Sequence, residues 1–266
     1  MIFDEGVRWE MLKPAEFLAR QAERPVVYLP MGLCEPHGHV APFGLDTIKA
    51  DWLCDRAARR FGGIVAPTMA YHTHETGYHA PWLRQVMGDV NPRLCALPPH
   101  LILETLLYQF RAFHNAGFRA VVVISGHHGS QEDLRRVSQA FEDAFDFPIF
   151  MRTDPELVSK RYPGDHAGRY ELSQMLAIRP DLVAMNRASR VTSDELGRFA
   201  QNPDVSEATA AYGNEILDAQ LVAIGEAVAA FRVGENLPGK MISFRDVVPV
   251  WEGILAKRTQ WATLNE

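Results

Sequence analysis

The sequence predicts an α/β protein in which parallel strands form a sheet sandwiched between helices. Short β-branched apolar runs alternate with longer amphipathic stretches, the order expected of strands joined by crossover helices. The apolar runs are compact and closed by Gly, Pro or polar residues, as strands covered on both faces are. Over 266 residues, 47% hydrophobic and 23% charged, no Gly/Ser or Pro tether divides the chain. Residues 1–266 therefore read as one domain around one core.

Residues 26–30 form the first strand and 64–66 the second; 121–125 and 148–151 follow. Residues 47–61 supply the first crossover helix, stopped by Gly62-Gly63. Residues 101–115 supply the next, ended by Ala116-Gly117, a left-handed stop. Gln131–Phe145 follows the third strand. Residues 186–213, polar and broken by Asn202-Pro203, read as a long loop or flap.

A net charge of −6 with no Lys/Arg cluster argues against nucleic-acid and anionic-membrane partners and favours a small molecule. Cys34, Cys54 and Cys95 are widely spaced, with no CxxC pair, so neither a disulfide framework nor a thiolate zinc site is indicated. A reducing cytoplasm fits. Asp4, Glu5 and Arg8 interrupt the first ten residues, and no run approaches about 18 apolar residues, so neither an export signal nor a membrane span is expected.

Ligands of open parallel sheets sit beyond the carboxyl ends of the strands, and the chemically active residues of this sequence collect there. Gly32-Leu33-Cys34-Glu35-Pro36-His37-Gly38-His39 follows the first strand. Pro36 pushes Glu35 towards an extended backbone, where residues two apart share a side, so Glu35 and His37 can face one ion. The same geometry admits His39. Asp46 precedes the helix at 47, a place that also suits a helix cap. Cys34, pointing opposite Glu35, reads as a buried thiol.

The third strand closes on Ser125-Gly126-His127-His128-Gly129-Ser130, where either histidine is a ligand candidate. In residues 164–173, Asp165 or His166 marks a helix mouth and Glu171 lies about a turn inside. A glutamate there is otherwise an exposed residue favoured by the helix dipole. Three carboxylates and several imidazoles without a thiolate suit Zn²⁺, Mn²⁺ or a similar divalent ion. Residues 71–79 add His72, His74 and His79 beside two tyrosines, the makings of a hydrogen-bonding pocket.

These segments resemble the signature of the creatininase (creatinine amidohydrolase) family. Its first motif, E-x-H-G-(P-H)-x-P-x-G-x-D, stands here from Glu35 to Asp46 with the family's spacing of eleven. Its N-G-H-G-G-N resembles Ser125 to Ser130, and its H-A-G-x-x-E-T-S resembles His166 to Ser173. The resemblance implies a three-layer α/β/α sandwich with a mostly parallel central sheet and a homo-oligomer, commonly a hexamer. It further implies two divalent metal ions, Zn²⁺ and/or Mn²⁺. Glu35 and His127 would hold one ion, His37 and Glu171 the other, with Asp46 bridging and His166 shuttling protons.

Departures from the pattern bear on the substrate. Creatininase proper has a glutamate where this chain has Gly129, and tryptophans near the shuttle where this chain offers only Tyr162. Creatinine itself is therefore disfavoured. The first reading is hydrolysis of a C–N bond in a small cyclic or formyl amide by hydroxide shared between the metals. His39, His72, His74, His79, His128 and Tyr162 are the substrate-facing candidates. A second reading is metal-dependent C–C ring opening of a cyclic keto-polyol, and a third is a metal-binding protein without catalysis.

Overall fold

The computed structural model describes residues 6–74, 76–77, 80–81, 95–188, 201–232 and 240–264. Among these, four strands form one sheet: β1 (Val26–Met31), β2 (Ile64–Val65), β3 (Ala120–Ser125) and β4 (Ile149–Thr153). Their order is β2-β1-β3-β4 and every neighbouring pair is parallel. The described α-helices are α1 (Pro14–Glu23), α2 (Leu45–Phe61), α3 (Pro99–Asn115), α4 (Gln131–Phe145), α5 (Arg169–Ile178), α6 (Ala210–Ala230) and α7 (Phe244–Leu255).

The alternation of side chains along each strand sorts the core into two layers. Val27, Leu29, Met31, Val121 and Val123 pack with α3, α4 and α7 on one face. Val26, Tyr28, Val122 and Ile124 pack with α2 and α6 on the other. Every residue of β1 and β3 is buried, which is why both read as continuous apolar runs. The result is the expected sandwich of helices, sheet and helices.

Element ends differ from expectation for identifiable reasons. α2 begins at Leu45, two residues early, so Asp46 lies within its first turn. α3 begins at Pro99, whose fixed φ suits a first helical position. β4 continues to Thr153 because Arg152 and Thr153 pair with Ile124 and Ser125, so the ladder outlasts the apolar run. The stretch read as a loop over 186–213 ends earlier: Thr209 caps α6, accepting from the Tyr212 N–H at 3.2 Å. Residues 189–200 lie outside the described ones. No described helix is long and apolar enough to cross a membrane.

The carboxyl ends of β1, β3 and β4 open into the segments 32–44, 126–130 and 154–168, and the segment after β2 runs beside them. Two close approaches draw them together. A Cβ on Gly126 would lie 2.0 Å from the Asp46 carbonyl oxygen, and one on Gly32 would lie 2.4 Å from Thr47 Cα. Only glycine lets these loops crowd the start of α2. Behind them, α5 crosses α6 so closely that a Cβ on Gly213 would meet the Ser173 carbonyl at 1.8 Å. Gly213→Ala should force this crossing apart and lower stability by about 1–3 kcal/mol, read as an earlier urea midpoint; an unchanged midpoint would contradict the contact.

Candidate metal centre

Glu35 and His37 come together, His37 Nε2 lying 3.9 Å from Glu35 Oε1, and both are about 1% exposed. His37 Nδ1 donates to the Glu35 carbonyl oxygen at 3.0 Å. A carbonyl only accepts, so one proton sits on Nδ1, and the ring offers a lone pair on Nε2 once its second proton is shed. That Nε2 faces Asp46 Oδ1 at 3.2 Å and Glu171 Oε2 at 3.5 Å. Neither approach is aligned as a hydrogen bond, and His37 Nε2 and Asp46 Oδ2 are buried without a hydrogen-bond partner among the described residues. A lone pair aimed at two desolvated carboxylates is the arrangement a cation completes.

Asp46 does not cap α2; Gly44 holds the cap position without a side-chain bond, and the Asp46 carboxylate points inward. Its Oδ1 faces His37 and its Oδ2 faces His127 Nδ1 at 3.5 Å. His127 Nδ1 also meets Glu35 Oε1 at 2.9 Å, while His74 Nε2 contacts Glu35 Oε2. Three groups could each hold an ion: Glu35, His74 and His127; His37, Asp46 and Glu171; and Glu35, His37 and His166. Glu35, Asp46, His127 and Glu171 floor a cavity of about 530 Å³, with His166 on its wall.

Glu171 is buried, not an exposed first-turn residue. Its Oε2 accepts the Ala167 N–H at 2.8 Å and its Oε1 accepts Lys49 Nζ at 2.7 Å, so both oxygens are fixed. Aiming the Ala167 N–H inward requires Ala167 in the left-handed region, φ 51°, a strain of about 1–3 kcal/mol for a residue with a Cβ. Asp165 marks the helix mouth by accepting the N–H groups of Gly168, Tyr170 and Glu171. His166 is half-buried, donates Nε2–H to the Pro36 carbonyl at 3.0 Å and stacks on His37 with ring centroids 4.5 Å apart.

Lys49 and Asp154 escaped the sequence reading. Lys49 sits one turn after Asp46 on α2, a spacing that puts both on one face. It is fully buried between Glu171 and Asp154, whose oxygens are each 3.4 Å from Nζ. Tyr170, Gln174 and Gln220 donate to Asp154 in turn, linking the centre to α5 and α6.

The other candidates divide. His128 is exposed at the cavity rim and pairs with Thr153. His72 does not line the cavity: it lies beneath the His127 ring, centroids 5.0 Å apart, with Nδ1 accepting the Thr73 N–H and Nε2 donating to Ser125 Oγ. Ser125 hydroxyl donates to the His127 carbonyl at 2.7 Å, so His72 and Ser125 shape the His127 loop. His39 lies outside the three ligand groups, its backbone N–H donating to Gln201. Tyr162 is buried with Val158, Tyr170 and Ile216, away from the cavity lining. Cys34 is half-buried rather than buried, and His79 lies outside the described residues.

The electrostatics follow from burial and close approach. Burial opposes charge on His37, but Asp46 and Glu171 outweigh it and lift the ring to about 9. Burial likewise opposes charge on His127, and Glu35 with Asp46 lifts it to about 10. Burial would raise Glu35, yet His74 and His127 hold it well below the usual carboxylate range. His166 moves the other way, kept neutral by burial and by its neighbour His37. Lys49 keeps its proton, because Asp154 and Glu171 overcome its desolvation. Burial raises Asp154 to about 6 against the pull of Lys49.

A family model described as creatinine amidohydrolase matches residues 10–228. The chain belongs to the creatininase family. By that membership this creatininase-family chain is a hydrolase. It is 28% identical over 183 residues to the creatinine amidohydrolase of Pseudomonas putida, spanning 61% of this chain and 67% of that protein. It is 24% identical over 191 residues to the 3-dehydro-scyllo-inosose hydrolase of Thermotoga maritima, spanning 67% of this chain and 58% of that protein. The solved structure "Creatininase Mn" superposes with a TM-score of 0.68 at 22% identity, covering 84% of this chain and 97% of that one, a likeness of fold.

Two predictions follow from the charges. Lys49→Ala strands Glu171 and Asp154 in the interior and should cost about 3–5 kcal/mol, seen in chemical denaturation; a loss below about 1 kcal/mol would mean that Lys49 is not their counter-ion. The second concerns pH. His37 and His127 have folded values above the roughly 6.5 of an unfolded imidazole, so their protons stabilise the metal-free fold fully below about 6.5. That stability is lost as pH rises through about 9 and 10. The Tm of chelator-treated protein should therefore fall from pH 6.5 to 10, while the Tm gain on adding Zn²⁺ grows, since a ligand must shed its proton to bind. Parallel curves with and without metal would contradict this.

Proposed function

We propose that this creatininase-family protein is a dinuclear metal-dependent hydrolase of a C–N bond in a small cyclic or formyl amide, with creatinine itself disfavoured. The observation that carries this reading is the His37 Nε2 lone pair facing Asp46 and Glu171 beside the Glu35–His127 pair. Glu35 and His127 would hold one divalent ion, His37 and Glu171 the other, and Asp46 presents one oxygen to each half. Zn²⁺ and Mn²⁺ both suit these oxygen and nitrogen donors. When bound, the ions supply an activated water and polarise a carbonyl oxygen.

The chain's own residues supply the rest. His166 is neutral with its Nε2 proton committed to Pro36, so its basic lone pair is on Nδ1 and it can take a proton and hand it to a leaving nitrogen. Glu171 is held rigid by Lys49 and Ala167, and the Gly129 position leaves it as the carboxylate of the His37 half. Of the cavity rim, Glu156, Asp165, Ser159 and His128 offer acceptors and hydroxyls, and no Lys or Arg lines it among the described residues. Any anionic group of a substrate would therefore have to be met by the metal ions and not by a side-chain cation.

A second reading, C–C ring opening of a cyclic keto-polyol, is favoured by the resemblance to the Thermotoga hydrolase and by the same hydroxyl-binding rim. A homo-oligomer and a cytoplasmic location belong to the proposal, supported by exposed Leu101, Phe244 and Val248 and by three unpaired thiols.

The test is turnover by protein reloaded with Zn²⁺ or Mn²⁺, offering lactams and formamides against keto-polyols. Release of an amine or ammonia is expected; turnover confined to keto-polyols would install the second reading. Metal-replete protein inert towards both classes would overturn both substrate readings. His166→Ala should lower kcat by about 10²–10⁴-fold at unchanged metal content, and an undiminished rate would remove His166 from proton transfer.

A further inference from the structure

We infer that His74 is a protein ligand of the ion shared by Glu35 and His127, an addition to the ligand set that the family motifs mark; this rests on the dinuclear reading. His74 lies outside all three motif segments, on the stretch that follows β2. Its side chain is nevertheless buried, its Nε2 reaches Glu35 Oε2, and its ring lies 5.0 Å from that of His127. One ligand atom each from Glu35, His74 and His127 falls within 4.8 Å of the others, the spread a single ion can span.

The protein holds His74 there from behind. Asp133, buried on α4, accepts the backbone N–H groups of Ala262 and Thr263 and the Thr263 hydroxyl. That pinned segment presses on Gly77, where φ is 63° and a Cβ would lie 2.0 Å from the Ala262 carbonyl oxygen. On the other side the His72 carbonyl accepts the Leu97 N–H at 2.9 Å. The backbone on both sides of His74 is thus tied to the body of the fold, which is how a first-coordination ligand is kept in place.

With His74 included, the two halves differ chemically. One offers two imidazoles and a carboxylate beside the bridging Asp46; the other offers His37, Glu171 and the same aspartate. Nitrogen-rich donors suit zinc and its neighbours in the series better than manganese. A His74 that merely orients Glu35 by a hydrogen bond would leave the ion's own donor set unchanged, and this is the alternative the experiment separates.

Metal-free full-length protein and its His74→Ala variant are titrated with Co²⁺, reading stoichiometry, affinity and visible ligand-field absorption. The wild type should take up two ions per chain. The variant should keep one affinity and lose at least 10-fold at the other, with altered bands that added imidazole restores. Equal affinities and identical bands in the two proteins would overturn the assignment. A wild type that binds only one ion would sink the dinuclear reading alone, because loss of that ion's affinity and bands in the variant still decides His74. Should His74→Ala fail to fold, judged by metal-free circular dichroism, His74→Gln carries the same titration with the same expected and overturning results.

Discussion

Three carboxylates, Glu35, Asp46 and Glu171, meet at the floor of the cavity with almost none of their own surface exposed, and the rest of the structure answers to that fact. Two unit charges about 4 Å apart interact by roughly 4 kcal/mol at an effective dielectric of about 20. Left alone, such a cluster would protonate or open. It does neither, because imidazoles from separate loops are threaded between the carboxylates and a buried lysine closes the cluster from below. The single fixed positive charge of Lys49 is shared with Asp154, so it balances only part of the negative charge. The remainder is met by protons on His37 and His127 or by divalent cations, which compete for the same lone pairs.

The parallel sheet makes this convergence possible without long-range design of each loop. With all four strands pointing the same way, every strand delivers its following segment to one edge. β1 brings Glu35 and His37, β3 brings His127, β4 brings Asp154 and then His166 and Glu171, and α2 starts at the same edge with Asp46. Glycines at 32 and 126 allow the β1 and β3 segments to touch the first turn of α2. Sheet pairing, loop crowding and the electrostatics of the cluster are therefore linked: a shift in any one strand end displaces one donor relative to the others.

Most of the fold was legible because buried parallel strands carry a dense apolar signal, and Gln131–Phe145 was bounded correctly at both ends. The misplaced ends have backbone causes. Backbone pairing carried β4 through Arg152 and Thr153, beyond the apolar run, and proline geometry carried α3 back to Pro99. At the site, carboxylates and imidazoles recurring near strand ends left His39 and His128 open beside Glu35, His37 and His127, and it was the likeness to the family motifs that singled out Glu35, His37, Asp46, His127 and Glu171. Lys49 and Asp154 did not, since a lysine on a helix face and an aspartate after a strand are ordinary solvent-facing choices until the fold buries them. His74 was legible as a pocket residue but not as a neighbour of Glu35, because nothing in its own segment fixes its distance from β1. The spacing that pairs Glu35 with His37 also admitted His39, and Tyr162 came in as the aromatic residue near the shuttle; the fold spends one beside Gln201 and the other on an aromatic cluster.

The two halves of the centre are supported by different kinds of structure. Asp46 and Glu171 stand on the first turns of two helices, α2 and α5, and Glu171 is locked at both oxygens. The network beneath them runs through Asp154 and Gln220 into α6, so a change there would disturb the packing of three helices. His127 and His74 stand on loops after β3 and β2, braced by His72, Ser125 and the segment around Thr263. Loops change length and sequence at lower cost than packed helices. The His37 side therefore stands on a fixed frame of packed helices, while the His74 side and the rim residues Glu156, Ser159 and Asp165 stand on segments that tolerate change at lower cost.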